Sequence, residues 1–281
     1  MVTSASVGYG ELILMEKRDG IGIITFNRPE KRNAMSGAAQ AEFRAALADS
    51  REDCKVLILT GAGVAFCSGV DLSEGQSRAA RRQFAYGTNS WFETNEVLKQ
   101  HPAVCIAAVN GFALGGGLTV VHNCDLAIAS ERAEFGMPEM SFNTFPGLAG
   151  PATIRRVLTK HAAYMILTAR RVDAVTAERW GIVNSVVPHD KLLEEAEKLA
   201  RHVAQFEASA LDWARKGYRD LDLMPWSEGL VYGGYIGTQI RRGGGSAGFA
   251  GGNPAVERFL AGQPNAGQGA NVLERQQGGN P

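Results

Sequence analysis

The sequence predicts an α/β fold followed by a helical C-terminal region. Apolar runs of strand length alternate with helical patterns through Asp190, and only helical patterns come after it. Two of the runs, residues 56–60 (VLILT) and 104–109 (VCIAAV), read as buried strands. Each is followed by a glycine-bearing loop, FCSGVDL at 66–72 and NGFALGGGL at 110–118.

Composition bounds what the chain does. Its 281 residues are 45% hydrophobic and 21% charged, as in ordinary globular proteins. Lys plus Arg and Asp plus Glu both number 29, so the formal net charge is zero. That balance points to neither nucleic acid nor an anionic membrane as partner. No apolar run reaches the ~18 residues of a membrane span. Residues 1–11 lack the charged-then-apolar pattern of a signal peptide, so the expected compartment is the cytosol. Cys54, Cys67, Cys105 and Cys124 show no CxxC spacing and read as buried free thiols. His101, His122, His161, His189 and His202 form no metal-ligand pattern, so no metal is expected.

Taken in order, residues 11–26 read as a hairpin turning at Asp19-Gly20. The polar loop NRPEKRNAM (27–35) follows, and Ser36 is placed to cap a helix running to about Asp49, with Phe43 and Leu47 on its apolar face. Residues 77–100 read as mostly helical, with Phe84, Tyr86, Trp91 and Phe92 forming either a substrate wall or core contacts. Residues 126–128 form a short strand, and 152–168 a helix. Val172-Asp173 leads into a helix over 174–180 that Gly181 ends, and 182–187 is a last strand. The segment 191–205 is strongly amphipathic. Helices over 208–220 and 225–240 precede a glycine-rich break at 243–252, a helical scrap at 256–260 and a polar tail, 262–281, read as disordered. This divides the chain into a core at 1–190, a helical region at 191–261 and the tail.

The chemistry centres on residues 107–150. Gly115, Gly116 and Gly117 let the backbone approach a ligand closely. A helix starting there would offer unpaired amides and the positive end of its dipole to an anionic oxygen. A tight strand-to-helix turn would use the same glycines. A second glycine loop after a second buried strand strengthens the case for an oxyanion hole with two backbone donors, each worth about 3–4 kcal/mol in a transition state. Glu139, in FGMPE (135–139), follows an apolar run, where a carboxyl's pKa rises and it can serve as acid or base; a surface or capping role is the alternative. His122 reads as a packed or capping side chain.

The segments NRPEKRNAM, FCSGVDL, NGFALGGGL, CDLAIAS (124–130), FGMPE and WGIVNSVVP (180–188) resemble the enoyl-CoA hydratase/isomerase, or crotonase, superfamily from about Leu12 to about Leu260. The resemblance implies a spiral of β-β-α turns with a C-terminal helical region that builds homotrimers or hexamers. It implies an acyl-CoA thioester substrate and no cofactor beyond the coenzyme A of that substrate. By motif position the oxyanion amides fall at Val70 and Gly116, and the catalytic carboxylate at Glu139. Lys31 and Arg32 match the loop that meets the coenzyme's phosphates, though an ordinary charged loop would look alike. Ala34, Ser68 and Val70 match its adenine-to-pantetheine path.

Hydratases of this family with two carboxylates carry a second Glu where this chain has Thr119, and Thr is no base near neutral pH. The resemblance therefore leaves open hydration, double-bond isomerisation, and the carbon–carbon cleavage of hydratase-lyases. Phenylpropenoyl-CoA hydratase-lyases resemble the chain at Thr119 and around Met224-Pro225-Trp226. The phenol-binding tyrosines of those enzymes are not matched: Gly75 follows Ser73-Glu74, and Gly234 lies between Tyr232 and Tyr235. A family member that binds CoA esters without catalysis is the remaining alternative.

Overall fold

A computed structural model describes residues 6–8, 10–74, 90–243, 257–258 and 260–261. The chain forms two compact units, Met1–Glu197 and Lys198–Pro281. In the first unit, β1 (Ser6–Gly8), β2 (Ile13–Arg18), β3 (Ile21–Phe26), β4 (Val56–Gly61), β6 (Val104–Val109), β8 (Leu126–Ser130) and β11 (Ser185–Val187) lie in that order in a seven-stranded sheet. The first three strands pair antiparallel, and every pair from β3 to β11 is parallel. A second, four-stranded sheet has the order β10 (Val172–Asp173), β9 (Glu134–Gly136), β7 (Phe112–Leu114), β5 (Ala65–Cys67).

The hairpin turns at Asp19 and Gly20, both at positive φ (51° and 74°), which matches the right-handed twist of the strands it joins. Helix α1 (Gly37–Asp49) starts where Ser36 Oγ accepts the Ala39 amide at 3.1 Å. It buries Phe43, whose ring meets Phe26 edge-on at 5.2 Å, and Phe26 meets Phe66 at 5.4 Å. Val56, Leu57, Ile58 and Leu59 are all fully buried, as is usual for parallel strands covered on both faces.

Each of β4, β6 and β8 crosses from the large sheet to a short partner in the small one, namely β5, β7 and β9. Helices α2 (Ser90–Lys99) and α3 (Gly116–Asn123) lead back to the large sheet. This repeated step is the expected β-β-α turn. The short partners escape a periodicity reading because each has only three residues.

Two further elements differ from expectation. The single helix read over 152–168 is two, α4 (Ala149–Ile154) and α5 (Thr159–Thr168). Leu158 is extended between them (ψ 142°), and its carbonyl accepts the amides of His161 and Ala162. The last strand begins at Ser185, because the Ile182 amide is used to close α6 (Ala174–Trp180) on the Ala177 carbonyl at 2.9 Å. Of the segment 77–100, only α2 falls among the described residues, and there Trp91 is a core side chain while Phe92 is 42% exposed. Phe84, Tyr86, Gly75 and the tail at 262–281 lie outside the described residues, as does the break read over 243–252 except for Gly243, which ends the helix starting at Trp226.

Helix α7 (Leu192–Val203) spans the division between units, burying Leu192, Ala196, Leu199 and Ala200. In the second unit α8 (Ala208–Leu221) and α9 (Trp226–Gly243) pack together, with Gly217 against Ile236. Among the described residues no helix is long and apolar enough to cross a membrane.

His122, near the end of α3, is buried with Nε2 3.1 Å from Thr153 Oγ1 on α4. Burial, with a contribution from the Arg156 charge, pushes its pKa down to about 3. It is a packed, neutral residue, as the sequence suggested. An unfolded histidine protonates near 6.5, so below that pH the unfolded chain takes up a proton that the fold refuses until about pH 3. His122 therefore costs stability on acidification, by about 1.4 kcal/mol per pH unit. His122→Gln keeps a partner for Thr153 and is expected to flatten the fall of the urea midpoint between about pH 6 and pH 4. An unchanged slope contradicts this.

Candidate active site

The chain leaving β5 runs beside Met35. The Met35 amide donates to the Gly69 carbonyl at 2.8 Å, and the Asp71 amide donates to the Met35 carbonyl at 3.1 Å, forming a parallel bridge between Met35 and Val70. Successive residues of an extended chain aim their amides to opposite edges. The Val70 N–H therefore faces away from Met35, and it has no hydrogen-bond partner among the described residues.

Gly69 holds φ +94°, and a methyl group there would lie 3.0 Å from both the Gly116 nitrogen and the Leu114 carbonyl oxygen. The two glycine loops are thus in direct contact. Gly116 opens α3, where the first amides have no intrahelical acceptor. A methyl on Gly116 would meet Trp91 Nε1 at 2.4 Å, so no side chain fits there either. Gly115, at φ +51°, donates its amide to the Gly136 carbonyl at 2.9 Å, fixing the loop to β9.

That link brings in Glu139. β9 ends at Gly136, and a 3-10 turn over Pro138–Phe142 starts with proline at a helix-compatible position. A methyl at Gly115 would lie 2.8 Å from Glu139 Oε1. Glu139 Oε2 is buried and has no hydrogen-bond partner among the described residues. Burial raises the carboxyl's pKa above the usual range, opposed by a hydrogen bond from its own backbone amide. Thr119 is buried in the first turn of α3, its hydroxyl 3.5 Å from the Gly115 carbonyl. The structure thus gathers Val70, Gly116, Glu139 and Thr119 around Gly115 and Gly69.

Lys31 and Arg32 are exposed at the end of a short 3-10 turn, Pro29–Lys31, with Arg32 at φ 51°. The Ser68 amide donates to the Arg32 carbonyl at 3.0 Å and its hydroxyl to the Lys31 carbonyl at 3.4 Å. Ala34 and Ser68 are half-buried beside them, so this group also comes together on the loop that carries Val70. Tyr232 is engaged elsewhere, its hydroxyl donating to Asp220 Oδ2 at 2.5 Å within the C-terminal unit.

Sequence reasoning passed over four polar residues that hold these loops. Asn33 Nδ2 donates to the carbonyls of Ala62 (2.9 Å) and Ala65 (2.6 Å), while its Oδ1 accepts the Arg28 amide at 2.8 Å. Asn110 Nδ2 donates to the Gly63 carbonyl at 2.9 Å, and its Oδ1 accepts the Gly61 amide at 3.1 Å. Arg28 Nη1 donates to the Ala34 carbonyl at 2.5 Å and to Asp71 Oδ2 at 3.1 Å. Asp71 Oδ1 accepts the Ser73 hydroxyl (2.6 Å) and amide (3.0 Å), and these bonds, then Arg28, hold its carboxyl below the usual range against the opposing effect of burial. The available signal was position: all four stand inside the motif segments, between turn residues.

The four cysteines are buried free thiols, and burial pushes Cys67 up to about 12 and Cys54 to about 11, which leaves both protonated at neutral pH. Among the described residues no group of three or more His, Cys, Asp or Glu is placed to hold a metal ion.

Comparison with known proteins fits this arrangement. Residues 16–220 match the enoyl-CoA hydratase/isomerase family. The chain is 38% identical over 225 residues to a probable enoyl-CoA hydratase, echA8, of Mycobacterium bovis, covering 79% of this chain and 86% of that protein. Among solved structures, enoyl-CoA hydratase subunit I of Geobacillus kaustophilus superposes with a TM-score of 0.80 at 31% identity, covering 91% of this chain and 98% of that one. A monofunctional enoyl-CoA isomerase of M. smegmatis superposes with a TM-score of 0.67 at 30% identity, covering 78% and 98%. With its motif loops in contact, its alternating two-sheet core and these likenesses along most of its length, the chain belongs to the enoyl-CoA hydratase/isomerase family.

Proposed function

We propose that the protein acts on enoyl-CoA thioesters, forming or collapsing an enolate at the α-carbon during hydration or double-bond isomerisation. The observation that carries this reading is the Glu139 carboxyl, half-buried, with Oε2 buried and unpartnered among the described residues and Oε1 set against Gly115 at the start of α3. A buried polar atom without a partner is costly, and a substrate proton would supply one. The Val70 and Gly116 amides hold the thioester oxygen and stabilise the charge that develops on it. Glu139 moves the proton. Lys31 and Arg32 meet the coenzyme's phosphates, and the backbone of Ala34, Ser68 and Val70 lines the way to the pantetheine. The reading asks for no cofactor beyond the coenzyme A carried by the substrate.

Thr119 favours isomerisation within this reading, because one carboxylate can shuttle a proton between two carbons whereas hydration commonly uses two. The likeness to a monofunctional isomerase supports that side, and the likeness to hydratases supports the other. Assays with crotonyl-CoA, a 3-enoyl-CoA and feruloyl-CoA separate isomerase, hydratase and lyase. Glu139→Gln is expected to lower the native rate by about 100- to 10,000-fold while CoA-ester binding survives. As a base Glu139 works ionised, so its raised pKa places the acid limb of the rate profile above the usual carboxylate range, and Glu139→Gln should abolish that limb. Retention of more than about a tenth of the rate in every assay contradicts the role. Thr119→Ala should cost little in isomerisation and more in hydration, where the hydroxyl would help place water.

Gly116→Pro removes one amide donor and drives a ring toward Trp91, so turnover should fall by at least about 100-fold. Near-normal turnover in a folded variant excludes the oxyanion role. We also propose that the chain assembles as a homotrimer or hexamer. Large exposed apolar side chains support this, among them Leu158 (71%) and Leu167 (71%) in the first unit and Trp226 (81%) and Val231 (77%) in the second. Light scattering at micromolar concentration is expected to give three or six times the 30.0 kDa chain mass, and a monomer refutes it.

A further inference from the structure

We propose that Arg28 and Asp71 are positioning residues whose ion pair locks the loop bearing Lys31 and Arg32 to the loop bearing Val70, and so aims the Val70 amide at the substrate oxygen. The inference rests on the oxyanion reading above.

Asp71 adjoins Val70 in the chain, so whatever fixes Asp71 fixes one side of the Val70 peptide. It is fixed on three sides: its amide by the Met35 carbonyl, its Oδ1 by Ser73, and its Oδ2 by Arg28. Arg28 in turn grips the Ala34 carbonyl, one residue before Met35. The guanidinium thus ties the far end of the 27–35 loop to residue 71, across 43 positions of sequence. Exposed ion pairs contribute little. This one has side chains only 15% and 9% exposed, and it works with the backbone bridge at Met35 rather than beside it.

A surface cross-link would serve stability anywhere, whereas this one closes on the residue next to an unpartnered amide. Donors in such sites must hold their place to within about 0.5 Å. Val70's own N–H and C=O supply none of this restraint, because they face the other edge. The pair also makes the proposed phosphate-binding loop part of the catalytic frame, since displacing the Arg28 end shifts the Asp71 end.

The test uses the full-length protein with Asp71→Asn, Arg28→Lys and the double variant Arg28→Lys/Asp71→Asn. Two readouts are taken: steady-state kinetics, and the carbonyl stretch of a bound enoyl-CoA thioester by difference infrared spectroscopy. The wild type is expected to shift the carbonyl to lower frequency. Each single variant should lose about tenfold or more in kcat, a fraction of what deleting an oxyanion donor costs, with a smaller change in KM and a reduced carbonyl shift. The double variant should be no slower than the worse single, since either change already breaks the ion pair they share. Arg28→Lys keeps the charge and guards against loss of the fold. Several results overturn the inference. If the wild type shows no shift, the oxyanion reading falls and takes the inference with it. If the wild type shows the shift and the single variants retain both it and kcat, even with a lowered melting temperature, the inference alone falls. It also falls if the losses multiply in the double variant.

Discussion

Where Gly69 meets Gly116, a single added methyl would sit 3.0 Å from the Gly116 nitrogen, and one on Gly116 would strike the Trp91 indole. The two loops can therefore touch only as bare backbone. Gly69 carries the added constraint of φ +94°, a conformation costly for any residue with a Cβ. Because the contact is backbone to backbone, the first amides of α3 and the amide of Val70 lie within one small region. Every other part of the first unit serves to deliver these two loops to the same place. The alternation of strands between the sheets does this geometrically: β5 and β7 pair in parallel, so the loops that leave them emerge side by side.

Glu139 depends on the same arrangement. β9 pairs with β7, and the Gly115 amide reaches back to the Gly136 carbonyl. Oε2 of the carboxyl is thereby buried without a partner among the described residues, and burial penalises ionisation against the opposing hydrogen bond from the residue's own backbone amide. A residue arranged only for stability would be paired or solvent-facing. The neighbouring polar groups show the contrast. His122 meets Thr153, and Asp71 is held by Ser73 and Arg28. His122 and Asp71, which support the frame, have partners, and Glu139 Oε2, which faces the glycine helix start, has none among the described residues.

The frame is largely polar where it matters. Asn33 and Asn110 both donate to the Ala65 carbonyl, at 2.6 and 3.3 Å, so one peptide oxygen at the start of β5 anchors two loops. These side chains stand in for ladder bonds that irregular backbone cannot make. Loss of either removes a donor from one part-buried carbonyl, that of Ala62 or Gly63, while the Ala65 carbonyl keeps the other asparagine.

Sequence alone determined much of this protein. Local chemistry set the hairpin at Asp19-Gly20, the Ser36 cap, the Asp173-to-Gly181 helix and the buried strands, because turn residues, caps and apolar runs act within a few positions of themselves. It also marked both glycine loops and Glu139, since residues of unusual conformational freedom or charge stand out in an apolar context. It did not reveal the three-residue strands, the break at Leu158, or the roles of Arg28, Asp71, Asn33 and Asn110, and it left Trp91 open between a substrate wall and the core. Those depend on partners tens of residues away, where no local pattern reaches. Tertiary structure decided that an arginine at 28 meets an aspartate at 71, and that a glutamate at 139 meets a glycine at 115. Such meetings are fixed by the crossing of strands between two sheets, which brings distant loops together and shuts water out.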